Sequence, residues 1–252
     1  MAIDTSKNSY TILFSIVMVA VVGTLLAGVS SALSPNIKAN KEIEKMQNIL
    51  FAMGVTNSED KNEFADKNKA KDLFQEYIGD EQYIIKGTQA TKTTDAFKVE
   101  VKKEQDKVKA NASYQQQLPL FIGNKDGKKY YVVPMRGNGL WDAIWAYVAL
   151  DENLVVQGAY FDHKGETPGL GANIKEAYFR DDFIGEHIFD AAGNFKGITV
   201  KKGNGDPKNE RKTDNAVDAM AGATITGDGV TAMLKKGLAL YLPYFKTLKT
   251  AN

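Results

Sequence analysis

The chain has 252 residues, 25% of them charged, and a net charge of +1. That length suits one sizeable domain plus accessories, and the balanced charge offers no concentrated basic face for nucleic acid. Cysteine is absent, which excludes disulfides, thiolate-held iron–sulfur clusters and Cys-type zinc sites. His163 and His187, the two histidines, are too few for a multi-histidine metal centre.

From Asn8 to Asn36 no residue is charged, and the stretch is flanked by Lys7 and Lys38. Within it Tyr10–Leu33 is mostly Ile, Leu, Val, Ala and Met, and exceeds the ~20 residues that a spanning helix requires. It also exceeds the roughly 7–15 apolar residues of a cleaved leader, so it reads as a retained anchor. Without an ionisable group it offers no ion path of its own. Small residues four apart, Ala20-Thr24-Gly28 and Gly23-Ala27-Ser31, suit packing against another membrane helix. Lys7 lies on one side, and Lys38, Lys41 and Lys45 on the other. That count alone favours a cytoplasmic C-terminal domain.

Ile43, Met46, Leu50 and Met53 recur at helical spacing, with Gly54 as the stop. Residues 56–72 form a polar loop that leads into a helix over Asp66–Ile78. Short strands follow at Tyr83–Lys86 and Ala96–Val101, then a charged, solvated tract at Val101–Lys109. Leu118–Ile122 and Lys129–Pro134 flank Asn124-Lys125-Asp126-Gly127, a hairpin signal. Trp141–Leu150 and Leu154–Phe161 make a second hairpin across Asp151-Glu152-Asn153. Residues 173–187 read as a helix with Ile174, Ala177, Tyr178 and Phe183 inward. Gly197–Lys201 is a strand and Gly203–Asp214 a polar loop. Thr226 or Asp228 caps a last helix from Gly229 to about Tyr241, burying Val230, Met233, Leu234 and Leu238. Hairpins with separated helices predict an α+β fold, a mainly antiparallel mixed sheet with flanking helices. No glycine-rich dinucleotide fingerprint and no internal repeat occur.

Three segments could carry chemistry. In Gly137-Asn138-Gly139-Leu140-Trp141-Asp142, glycines precede an aromatic at a strand start; the bland alternative is a turn followed by a core tryptophan. His163-Lys164-Gly165-Glu166-Thr167-Pro168-Gly169-Leu170-Gly171 has the irregular backbone that presents free N–H groups to anions and carbonyls, and loops of this composition are also simply loops. Asp218-Ala219-Met220-Ala221-Gly222-Ala223-Thr224 ends in a Gly-Ala-Thr step before a helix. Gly222 and Ala223 leave the Thr224 hydroxyl uncluttered. No Ser-His-Asp arrangement could activate Thr224, so an outside enzyme would have to modify it. An attached phosphate would then meet a helix N-terminus. The alternative is an ordinary turn and cap.

These segments, in this order behind one N-terminal span, resemble the C subunits of the sodium-translocating NADH:quinone oxidoreductases over essentially the whole chain. The carrying motifs are Gly139-Leu140-Trp141, Glu166-Thr167-Pro168-Gly169-Leu170-Gly171 and Asp218 through Thr226, the last resembling the family's flavinylation motif. The family often has serine where this chain has Ala221. The resemblance implies FMN joined to Thr224 by a phosphoester, placed there from FAD by a flavin transferase. It implies cofactor contacts from Leu140, Trp141, Glu166, Thr167, Gly169, Leu170, Gly171, Asp218, Gly222, Ala223 and Thr226. It also implies partners: an iron–sulfur protein of the same complex that donates electrons, and a flavin-carrying membrane protein that accepts them, with sodium export as the outcome. The soluble domain is then expected outside the inner membrane, against the lysine count. The implied division is residues 1–9 as a cytoplasmic tail, 10–33 as the span, 34–117 as a membrane-proximal region and 118–252 as the FMN-binding domain. An organic carrier suits a chain without thiolates, and covalent attachment keeps it from being lost. The homologous G-type subunit of the ferredoxin:NAD oxidoreductase complex and a cofactor-free membrane-anchored module are the alternatives.

Overall fold

The computed structural model describes residues 7–250. The first unit, up to Lys45, is helical from Asn8 and is part of helix α1, Asn8–Ala52. Its apolar window has a mean hydropathy of 2.6 and is unburied, so it is long and apolar enough to cross a membrane. The anchor and the expected helix at Ile43–Met53 are therefore one continuous helix. Pro35 does not end it; spanning helices tolerate a proline where neighbouring groups re-satisfy the backbone. Residues 1–6 of the expected tail lie outside the described residues.

The second unit, Met46–Asn252, is built on a six-stranded antiparallel sheet in the order β2-β1-β3-β4-β5-β6. The strands are β1 (Gln82–Lys86), β2 (Gln89–Lys92), β3 (Leu118–Lys125), β4 (Lys128–Asn138), β5 (Ala143–Leu150) and β6 (Val156–His163). The β3–β4 hairpin closes through Asp126 and Gly127, both left-handed at φ 53° and 74°, as the Asp-Gly pair dictates. Because β1 precedes residue 118 and pairs with β3, the sheet draws on both sides of that expected division.

Both faces of the sheet are covered, so its central strands are apolar on alternate and intervening residues alike. On one face Leu120, Val133 and Met135 pack with Met233, Leu234 and Leu238 of helix α5 (Thr224–Thr250). On the other, Phe121, Val132 and Ala149 pack with Ile49 and Leu50 at the end of α1, with Met53 just after it, and with Phe74 of α2 (Ala70–Tyr77). Helix α5 lies close to β4 because glycine allows it: a Cβ on Gly229 would sit 2.3 Å from the Asn138 carbonyl oxygen.

Several local expectations change. Helix α2 starts at Ala70, not Asp66, because the Asp66 carboxylate accepts the Asn68 N–H in a turn. Ala96–Val101 is no strand. Thr93 caps a 3₁₀ turn at Thr94–Lys98 through the Asp95 N–H, and α3 (Val101–Ala110) follows. The helix expected over 173–187 breaks into a 3₁₀ turn at Gly171–Lys175, α4 (Ala177–Arg180) and a 3₁₀ turn at Asp181–Phe183. Glu176, extended at φ −72° and ψ 148°, is the break. Tyr178 consequently points outward and Phe179 takes its place in the core. An unpredicted parallel pair joins β7 (Thr199–Lys201) to β8 (Ala216–Asp218).

Candidate functional site

The three segments singled out in the sequence converge. Gly139-Leu140-Trp141-Asp142 forms the β4–β5 turn, closed by the Gly139 N–H on the Asp142 carbonyl at 2.8 Å. Strand β5 therefore begins at Ala143 rather than Trp141. The indole is 69% exposed and donates its N–H to Thr167 Oγ1 at 3.1 Å, so it is no core residue.

Glu166 joins the segments. It is 4% exposed. Its Oε1 accepts the Trp141 N–H at 2.9 Å, and its Oε2 accepts the Thr226 hydroxyl at 2.6 Å. Burial pushes this carboxyl up, yet the Thr226 hydroxyl and the amides of Trp141, Leu140 and Asp142 outweigh it, so its pKa lies below the usual carboxylate range. An ionised acid saturated with donors is a strong structural tie. The Glu166 N–H in turn donates to His163 Nδ1 at 3.1 Å. Glycines make room: a Cβ on Gly139 would lie 2.5 Å from Glu166 Oε1, and one on Gly171 would lie 2.4 Å from Thr226 Oγ1.

Thr226 is thus no helix cap. Helix α5 starts five residues before the expected Gly229, at Thr224, and extends beyond Tyr241 to Thr250. Its first intrahelical bond runs from the Gly227 N–H to the Ala223 carbonyl at 2.9 Å. The amides of Thr224, Ile225 and Thr226 precede that bond and point from the helix end, the positive end of the dipole. Thr224 itself is exposed. Gly222, at φ +72°, sets the preceding turn, where a Cβ would strike Leu170 Cδ2 at 2.7 Å.

A cavity of about 230 Å³ opens here, lined by Leu140, Glu166, Leu170, Gly222, Thr224 and Ile225 among others. That is below the roughly 300–1,000 Å³ of an enclosed small-molecule pocket, so it seats part of a ligand. Around its mouth Leu140, Trp141, Leu170 and Ile225 are 41–69% exposed, an apolar rim for a planar ring. Ile225 escaped the sequence reading, because a helix begun at Gly229 leaves it outside the amphipathic pattern. Thr167, Gly171, Ala223 and Thr226 also line the cavity. Gly169 turns the loop at φ +77°. Asp218 stands apart: its carboxylate accepts the amides of Gly205 at 3.0 Å and Asp206 at 2.9 Å, tying down the 203–214 loop.

The FMN-binding domain family matches residues 139–239, the span that contains the cavity. The C subunit of the Na(+)-translocating NADH-quinone reductase of Neisseria meningitidis serogroup B is 29% identical, covering 99% of this chain and 97% of that one. Its counterpart from Vibrio vulnificus is 30% identical over 77% of this chain and 76% of its own. The crystal structure of the Parabacteroides distasonis counterpart superposes with a TM-score of 0.70 at 31% identity, covering 84% of this chain and 96% of that one. The chain belongs to the family of Na(+)-translocating NADH-quinone reductase C subunits. In this member of the family, the site around Thr224 fits FMN on three counts. There is an exposed hydroxyl, a helix end whose amides accept an anion, and an apolar rim. No cation lines the cavity, which suits a phosphodiester better than the more highly charged phosphate monoester.

Proposed function

We propose that Thr224 carries FMN through a phosphoester bond, and that the chain is the FMN-bearing C subunit of a sodium-translocating NADH:quinone oxidoreductase. The observation that carries this reading is the exposed Thr224 at the first turn of α5, beside a cavity organised by the buried Glu166. When bound, FMN supplies the reversible electron uptake and release that no side chain of this cysteine-free chain provides. Thr224 would supply the ester oxygen to the FMN phosphorus, and a flavin transferase would take its proton as the pyrophosphate bond of FAD breaks and AMP leaves. The first-turn amides hold the phosphate oxygens. Glu166 fixes the Trp141 backbone and Thr226 in one arrangement, and the Trp141–Thr167 bond sets the indole plane beside the site. Leu140, Leu170 and Ile225 would offer the flavin an apolar surface and exclude water there.

In this role the chain relays electrons from an iron–sulfur protein of the complex to a flavin-carrying membrane protein beside it, and the transfer drives sodium export. Residues 10–33 anchor it in the bacterial inner membrane, with the flavin-binding part on the external side. Protection from protease in sealed right-side-out vesicles, against digestion there, decides the orientation. The attachment is tested on the natively expressed chain by denaturing electrophoresis and intact mass. A fluorescent band and a mass gain of FMN less one water are expected, and both are lost in Thr224→Ala while the circular dichroism is retained. An unmodified native peptide across 218–226 would overturn the assignment.

A further inference from the structure

A second cavity, of about 400 Å³, lies between α3, the end of β4 and α5. It exists because β3 and β4 part. Their pairing stops at Phe121↔Val132. Beyond that point β3 pairs with β1 through Leu118 and Leu120, while β4 continues along β5 as far as Asn138↔Ala143. Pro119 and Pro134 line the split, and neither has an N–H with which to close the ladder. Gln105 reaches across it from α3, donating its amide to the Arg136 carbonyl at 2.8 Å.

The walls are largely apolar, from Val108, Leu118, Met233 and Leu240, yet the lining also holds Lys109, Arg136 and Lys236 and no acid at all. None of these three cations forms an ion pair with a described residue. The nearby acids make their close pairs with other lysines. Asp106 pairs with Lys102 at 2.6 Å, Glu104 with Lys107 at 2.6 Å and Asp142 with Lys164 at 2.8 Å. Three elements thus each bring to a single, largely apolar slot one cation without an ion-pair partner among the described residues, with Asp106 feeling Lys109 and Arg136, and Asp142 feeling Arg136, only at longer range. The Thr224 cavity has the opposite character, with one acid and no cation.

We infer that this cavity binds a fatty acid: a carboxylate head held by the Arg136 guanidinium and the ammonium groups of Lys109 and Lys236, with an apolar chain along Leu118, Met233 and Leu240. A guanidinium matches a carboxylate in two parallel hydrogen bonds. The volume falls within the ordinary range for small-molecule sites, about 300–1,000 Å³. The inference stands whether or not Thr224 carries a flavin.

The test uses the full chain in nanodiscs of zwitterionic phospholipid, with a diazirine-bearing dodecanoate and the matching dodecanol as photo-labels mapped by peptide mass. Dodecanoate is expected to label 101–109, 134–138 and 229–241 saturably. Dodecanol should label them about tenfold less, since it lacks the charged head. Arg136→Gln with Lys236→Gln should lower dodecanoate labelling about tenfold and leave dodecanol labelling unchanged. Labels confined to the 10–33 helix, equal labelling by the alcohol, or dodecanoate labelling indifferent to the double substitution would each overturn the inference. The acid-against-alcohol comparison on the unaltered chain decides the matter even if the double variant misfolds.

Discussion

At the residue scale, Glu166 is the piece on which the arrangement around Thr224 rests. Replacing it by Gln keeps the size but removes the charge that strengthens the Trp141 N–H bond and forces the Thr226 hydroxyl to turn from donor to acceptor, leaving its own proton without the Glu166 oxygen. A cost of about 1–3 kcal/mol is expected, read as a lower denaturant midpoint at an unchanged slope. The pH sign follows from the depressed carboxyl. The stabilisation is present above the ordinary Glu value of 4.5 and fades as pH falls through the lower folded value. Glu166→Gln should therefore narrow its deficit against the parent in acid. Gly171→Ala attacks the same knot sterically, because its methyl would meet both Thr226 Oγ1 at 2.4 Å and Glu166 Oε2 at 2.6 Å. Overpacking there should destabilise by roughly 1–3 kcal/mol, measurable by thermal melting.

At the element scale, the turn after Phe183 carries a different carboxyl. Glu186 is wholly buried and neither oxygen has a well-formed hydrogen bond among the described residues, the nearby Ala216 amide being turned to Asp214. Burial pushes it up to about 7, with Lys212 and the nearby Ala216 amide opposing and Asp214 and Asp206 adding to the rise. A raised folded value means that the folded chain holds its proton longer than the unfolded one. Stability should then decline from pH 4.5 to about 7 on this account and level off above. Glu186→Gln should flatten that decline and raise the stability at pH 8 by ~2–3 kcal/mol, seen in urea midpoints across pH. Elements written in local chemistry were readable in advance: the Asp126-Gly127 turn and its neighbouring hairpin needed only backbone preference and alternation. Over 171–183 the burial of Ile174 and Phe183 was correctly phased, but nothing in the local sequence marks the extended backbone at Glu176 that breaks the helix. The β7–β8 pair joins residues 199–201 to 216–218 across a polar loop, a non-local pairing with no short-range signature. In the candidate site the three segments were visible as motifs. Their meeting through one buried carboxylate was not, since nothing in a glycine-rich loop says which donors its acid will find.

At the scale of the whole molecule, the last turns of α1 belong to the core of the second unit, where Ile49, Leu50 and Ala52 are fully buried. A chain begun near Glu42 should fold as a soluble protein with cooperative melting. One begun at Gly54 loses the four large buried side chains of Ile49, Leu50, Phe51 and Met53, worth about 1.5–3 kcal/mol each, along with Ala52. Against a total stability of roughly 5–15 kcal/mol, that truncation should leave little cooperative transition. The residue proposed to bear the prosthetic group is not on a swinging arm but at the head of a 27-residue rod whose flank is bolted to the sheet. The point of attachment inherits the stiffness of the core, so any shortening of the gap to a redox neighbour has to come from the bonds of the tether itself, or from displacement of the entire unit or of that neighbour.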